Sequence, residues 1–208
     1  MDQMGEIART TVRMIAFRSF GLIQDDLHRM IPKLRTAQWT VNSPYDTEYT
    51  CIAWAACRTR KVWWPWDDPG FYWPPGFAKL PVGSPASIDD FAIMFEKKFG
   101  YRKCATKEFE WGFQKVAIYA NTEGVTHMSR QCLFGEEWLS KLGVYEDVIH
   151  SDVRDVEGSM DPNAREYGEA VQYMKRTWPR ALMTACLFRC AWAALKFKIY
   201  RTVVPWEI

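Results

Sequence analysis

The sequence predicts an α+β domain, in which helices come first and an antiparallel sheet second. Two observations carry this. Helical patterning fills much of the first hundred residues, and a run of β-rich segments separated by turn signals follows from residue 115. A third observation lies between them. Residues 62–85 hold six of the eleven Pro, interleaved with Trp63, Trp64, Trp66 and Trp73, and such Pro density leaves room for neither helix nor strand. With 208 residues the chain is long enough for one good core, so it is read as a single domain, 1–208.

In order along the chain, residues 1–40 form a helical segment, with helices expected over 5–20 and 24–35. Asp25 and Asp26 favour the start of the second by complementing its dipole. Residues 38–41 suit a short strand. Asn42 to Asp46 carries loop chemistry. Thr50 is placed to cap a helix that begins at Cys51 and runs through Cys-Ile-Ala-Trp-Ala-Ala-Cys-Arg. After the 62–85 loop, Ser87 opens a helix through Phe91, Met94, Phe95 and Phe99, and Gly100 ends it. Strands follow over 115–120, 126–132 and 137–142, with turns at 121–124 and 134–137. Residues 167–174 fit a strand or a short helix. A basic C-terminal helix occupies 178–208, mainly residues 180–200.

Composition narrows the function classes. Hydrophobic residues make 48% and charged residues 25% of the chain, ordinary for a globular domain, and a formal charge of +2 does not by itself mark a nucleic-acid binder. The charge is uneven. Residues 146–169 hold eight acidic and two basic side chains, and residues 178–208 hold five basic and one acidic. The acidic run reads as a solvated face; the basic one could instead meet a polyanion. The longest apolar stretch, Ala181 to Leu195, is interrupted by Arg189 and is too short for a bilayer, so no membrane association is expected. The charged N-terminus lacks an apolar signal core, so the six cysteines are expected to be reduced thiols and the protein cytoplasmic. No CxxC or CxxH spacing is present, so no metal or other cofactor is expected.

Chemistry concentrates on Cys51 and His127. A thiol attacks carbonyl carbon as thiolate, and a helix start and a nearby imidazole both favour that form. Cys51 has the predicted helix start. Of the three histidines, His127 falls on a predicted strand after a turn, His28 reads as a surface residue, and His150 is an outside candidate. Tyr-Thr-Cys-Ile-Ala-Trp-Ala-Ala from Tyr49, Lys-Val-Ala-Ile-Tyr-Ala from Lys115, His127 with Gln131, and Ser140-Lys141-Leu142-Gly143 together resemble the papain-like, NlpC-type superfamily. The segments Trp63-Trp64-Pro65 and Tyr72-Trp73-Pro74 add a similarity to an uncharacterised family with such Trp-Pro motifs.

The resemblance covers about residues 45–175 and implies a papain-like fold, with the nucleophile helix packed on an antiparallel sheet. It implies Cys51 as nucleophile, His127 as base and a third residue to orient the imidazole. Ser140 is the first choice for that third residue, with Glu137 and Gln131 behind it. Tyr49, Trp64, Asp67, Asp68, Trp73 and Gln131 are the substrate-binding candidates; Asp46 is a further one.

The implied activity is acyl transfer through an acyl-cysteine. Its most concrete version resembles the fungal arginine-containing cyclodipeptide synthases, which would take aminoacyl-tRNA as donor on the basic C-terminal segment (Arg180, Arg189, Lys196, Lys198, Arg201). Asp67, Asp68, Asp89 and Asp90 would then be candidates to receive the arginine guanidinium. Two alternatives remain open: an NlpC-type amidase or peptidase, and a catalytically inactive module that binds through its Trp-rich loop. Cys57, Cys104, Cys132, Cys186 and Cys190 read as core thiols.

Overall fold

The computed structural model describes residues 24–43, 46–143, 145–158 and 166–178. The expected helices over 5–20 and 180–200, and with them the basic C-terminal segment, lie outside those residues.

A seven-stranded, wholly antiparallel sheet organises the domain. Its strands are β1 (Trp39–Ser43), β2 (Arg102–Cys104), β3 (Phe113–Asn121), β4 (Gly124–Gln131), β5 (Trp138–Lys141), β6 (Asp147–His150) and β7 (Glu169–Thr177), in the spatial order β1-β6-β5-β4-β3-β7-β2. Helical residues 24–30 form α1; α2 is Cys51–Ala55 and α3 is Ile88–Phe99. The α+β class expected from the sequence is the observed one.

Strand alternation divides the core into two. One face carries Ile118, Met128, Leu139, Ile149 and Met174 against α2, α3 and the Trp-rich loop. The other carries Ala117, Tyr119, Trp138 and Val148 against Leu27, Ile31 and Leu34 of the N-terminal segment and against Val153 and Val156 of a single 3-10 turn. Each such aliphatic side chain contributes about 1.5–3 kcal/mol by leaving water, which is what holds a three-layer arrangement together.

Local chemistry explains most boundaries. Ser87 and Asp90 form a reciprocal capping box at α3, and Gly100 closes the helix at φ 70. The helix expected over 24–35 is broken by Pro32: it stops at residue 30 and a 3-10 turn, Pro32–Arg35, replaces its end. The expected helix from Cys51 is cut to five residues because the chain turns left-handed at Cys57, φ 61. The expected cap is also not made. The Thr50 hydroxyl instead donates to the Trp63 carbonyl at 3.0 Å and accepts from the Trp63 N–H at 3.2 Å, tying the Trp-rich loop to the start of α2. That loop holds no helix or named strand, only the bridges Trp63↔Tyr72 and Trp66↔Leu80.

Two strands are absent from the sequence reading, β2 and β6. The second lies inside the acidic run expected to be a solvated face, yet Asp147 and His150 are fully buried. Residues 167–174, left between strand and helix, lie largely in β7. Among the described residues no helix is long and apolar enough to cross a membrane.

Candidate functional site

Cys51 opens α2 and is 6% exposed, packed into the α2/α3 side of the sheet. His127 is on the opposite side. The register of β3 with β4 passes from Tyr119↔His127 to Ala120↔Val125, so Thr126 is an extra residue, a bulge. Val125 therefore faces the α2/α3 core, while His127 turns to the far face and stacks on Tyr167, 4.2 Å between centroids. The next residues confirm the alternation: Met128 and Arg130 face α2, where Arg130 Nη1 donates to the Trp54 carbonyl at 2.7 Å. The expected Cys51–His127 pair is thus not assembled, because the sheet stands between the two side chains.

His127 does meet Ser140. Its Nε2 lies 3.1 Å from Ser140 Oγ, which in turn lies 2.9 Å from His150 Nε2, and His150 Nδ1 lies 2.7 Å from the Asp152 carbonyl. A carbonyl only accepts, so His150 Nδ1 is the donor. Burial lowers the His150 pKa from 6.5 and keeps the ring neutral, leaving Nε2 to accept from the Ser140 hydroxyl. Ser140 Oγ then accepts from His127 Nε2–H. Protons in this chain all point one way, from His127 toward Asp152.

The sign of its pH dependence follows. A histidine held neutral in the folded state contributes stability that is present above pH 6.5 and is lost as pH falls below it toward the lowered folded-state value. Wild-type protein should therefore melt at lower temperature at about pH 5.5 than at pH 7.5. The drop should be smaller in His150→Gln, whose amide does not titrate. Equal drops in the two proteins, followed by calorimetry, would remove His150 from the account.

The side of the sheet that holds Cys51 has its own buried polar set. Lys141 and Asp147 are paired across β5 and β6, both side chains fully buried, with Nζ 3.9 Å from Oδ1. Asp147 Oδ2 accepts from Ser43 Oγ at 2.6 Å and from the Tyr49 hydroxyl at 2.9 Å. Lys141 Nζ also donates to the Tyr145 carbonyl and lies 5.1 Å from the centre of the Tyr49 ring. Burial pushes the Lys141 pKa down, opposed by Asp147, Asp46, Glu146 and Cys51, which is within electrostatic reach. Burial pushes Asp147 up, against the Ser43 and Tyr49 hydrogen bonds and the Lys141 charge. Burial and the adjacent carboxylate push Tyr49 up, so its hydroxyl stays a donor.

The other expected binding residues do not converge on Cys51. Trp64 and Trp73 pack edge-on against Phe91 of α3, at 5.9 and 5.2 Å. Asp67 is exposed and pairs with Lys79; Asp68 accepts from the Gly70 N–H. Gln131 is buried and donates to the Lys107 carbonyl at 3.1 Å. Trp64 and Trp73 share the core that holds Cys51, but of these candidates only Tyr49 joins the Lys141–Asp147 polar set.

Lys141 and Asp147 escaped the sequence reading as functional residues. A signal existed for Lys141: it follows Leu139 at the strand interval of two and so shares its buried face. An open cavity of about 660 Å³ is lined by Glu48, Arg60, Lys61 and Tyr72 among others, beside the segment that leads into α2. Among the described residues no group of three His, Cys, Asp or Glu could hold a metal ion.

No curated protein and no solved structure matches the chain. Residues 40–175, which span β1 to β7 and include Cys51, His127, Ser140, Lys141 and Asp147, match a domain of unknown function, DUF7689, and the chain belongs to that family.

Proposed function

We propose that the protein is a thiol-dependent acyl-transfer enzyme in which Cys51 is the nucleophile and Lys141, rather than His127, is its base. The observation that carries this reading is the buried Lys141–Asp147 pair on the same side of the sheet as Cys51, with Lys141 in electrostatic reach of the thiol. A five-residue helix supplies little dipole, so the charge partner has to do most of the activation. A lysine whose burial favours the neutral amine can take the thiol proton, and lysine serves as base in other nucleophile–base sets.

The steps follow from that assignment. Lys141 takes the proton, the Cys51 sulfur adds to the acyl carbon, and the leaving group departs with the proton from Lys141. Water or an amine then attacks the thioester and restores the thiol. Asp147, held by Ser43 and Tyr49, balances the ammonium in between. A helix bearing the nucleophile on an antiparallel sheet agrees with the papain-like layout that the sequence resemblance implies; the base differs. The donor would enter through the cavity beside Glu48 and Arg60. In the finer version, the donor is an aminoacyl-tRNA and the product a cyclodipeptide. That version rests on the resemblance and on basic residues outside the described ones.

The test uses a panel of p-nitrophenyl acyl esters in a Cys57→Ala background, read by intact mass, with culture extracts searched for diketopiperazines. An acyl adduct on residue 51 is expected, lost in Cys51→Ala and reduced at least a hundredfold in rate in Lys141→Met, while His127→Gln keeps it within about tenfold. A folded His127→Gln protein as inactive as Cys51→Ala would overturn the choice of base. A second reading, a non-catalytic binding module, is favoured by the 6% exposure of Cys51, and it predicts no adduct with any ester.

A further inference from the structure

Cys57 ends α2 in an unusual way. Its N–H donates to the Trp54 carbonyl at 2.9 Å, and the Arg58 N–H donates to the Ala53 carbonyl at 2.8 Å. This is the paired hydrogen-bond pattern that closes many helices, at a position where glycine is the usual residue because φ is positive. Here φ is 61 and the residue is cysteine. The conformation aims the side chain at two arginines that arrive from different strands. Arg130 Nη1, from β4, lies 3.0 Å from Cys57 Sγ, and Arg176 Nη2, from β7, lies 3.4 Å from it.

Both guanidiniums are built into the fold. Arg130 is 1% exposed and Arg176 2%. Each is held by an aromatic face and a hydrogen bond: Arg130 by the Trp54 ring and carbonyl, Arg176 by the Tyr101 ring and by Gln114 Oε1 at 2.8 and 3.1 Å. The sulfur is the atom on which the two cations converge, while the residue itself is only partly buried.

We propose that Cys57 is a thiolate at rest, held by Arg130 and Arg176, and is a modification site for small hydroperoxides. Arginine donates and does not accept, so two guanidiniums at hydrogen-bond distance favour the charged sulfur over the thiol. The thiolate attacks the terminal oxygen of the hydroperoxide. The S–O bond forms, the O–O bond breaks, and the departing alkoxide or hydroxide takes the proton carried by the transferred oxygen, leaving as alcohol or water. Sulfur is oxidised by two electrons and the peroxide is reduced by two. The sulfenate left on Cys57 is again an anion that the same guanidiniums can hold. This site is separate from Cys51, which lies at the other end of α2.

The test is wild-type protein, Cys51→Ala, Cys57→Ala and Arg176→Lys, treated with hydrogen peroxide at pH 6 and trapped with dimedone. The label is placed by fragment mass spectrometry, since residues 51 and 57 share a tryptic peptide. Wild type and Cys51→Ala should carry it on Cys57, Cys57→Ala should lose it, and Arg176→Lys should slow labelling at least tenfold. The Arg176 variant could unfold, so a second measurement uses wild type alone. The rate of Cys57 alkylation by iodoacetamide should change less than threefold from pH 6 to pH 8, where an ordinary thiol gains about a hundredfold. A rise of that size, or dimedone on another cysteine with none on Cys57, overturns the proposal. Loss of acyl-transfer activity in Cys51→Ala leaves these readouts unchanged, so the two proposals fail separately.

Discussion

Gly168→Ala is expected to destabilise the protein by more than about 3 kcal/mol, the range reserved for core-level damage. The reason is a backbone contact. A Cβ at this position would sit 2.0 Å from the Ala120 carbonyl oxygen, 2.4 Å from its carbon and 2.8 Å from the Asn121 nitrogen. None of these is a side-chain end that could swing away. Gly168 also has φ 69, where an L side chain adds roughly 1–2 kcal/mol of its own. Relief would require β7 to move off β3 at the Ala120↔Glu169 pairing. Gly83→Ala separates the two costs, since φ there is 82 but nothing lies within 4 Å of the added carbon. Urea unfolding should show a small loss for Gly83→Ala and a loss several times larger for Gly168→Ala. Equal losses would mean that the close approach of β7 to Ala120 is absent in solution.

The parts of this fold legible in the sequence are those set by neighbours in the chain. Ser87 and Asp90, three residues apart, announce the start of α3, and Gly100 announces its end. The β-rich residues 115–120 lie on β3 and 126–132, but for Cys132, on β4, and Asn121–Gly124 turns between them. What was hidden depends on partners far away in sequence. Read by simple alternation, His127 shares a face with Val125. The structure separates them because the Val125 N–H is taken by the Ala86 carbonyl at 2.9 Å, and Thr126 bulges out of the pairing.

Asp147 sits in a locally acidic run, where charge argues for solvent. Its burial depends on Ser43, Tyr49 and Lys141, which arrive from β1, from the approach to α2 and from β5. Cys57 reads as a core thiol on the apolar side of a helix until the helix is seen to stop two residues earlier. In each case the local pattern is real, and a long-range contact decides the outcome.

Asp147→Ala should cost about 3–5 kcal/mol, the loss typical of breaking a buried ion pair from one side. It leaves the fully buried Lys141 without its counter-charge and removes the acceptor of two hydroxyl donors, Ser43 and Tyr49. The cost should fall when the partner charge goes as well. Asp147→Leu with Lys141→Met replaces the pair by apolar groups, which in other proteins is neutral or stabilising. Here about 1–3 kcal/mol should persist, because the Ser43 and Tyr49 hydroxyls still lose their acceptor. The double-mutant cycle, read by urea unfolding, isolates the coupling. A coupling near zero would show that water screens the pair, and the desolvation that favours a neutral Lys141 would go with it. If the coupling is large, the double variant becomes the sharper probe of mechanism. It keeps the fold and leaves Cys51 untouched while removing the proposed base, so a stable but inactive protein would tie the chemistry to Lys141, whereas a stable and active one would leave Cys51 without need of it.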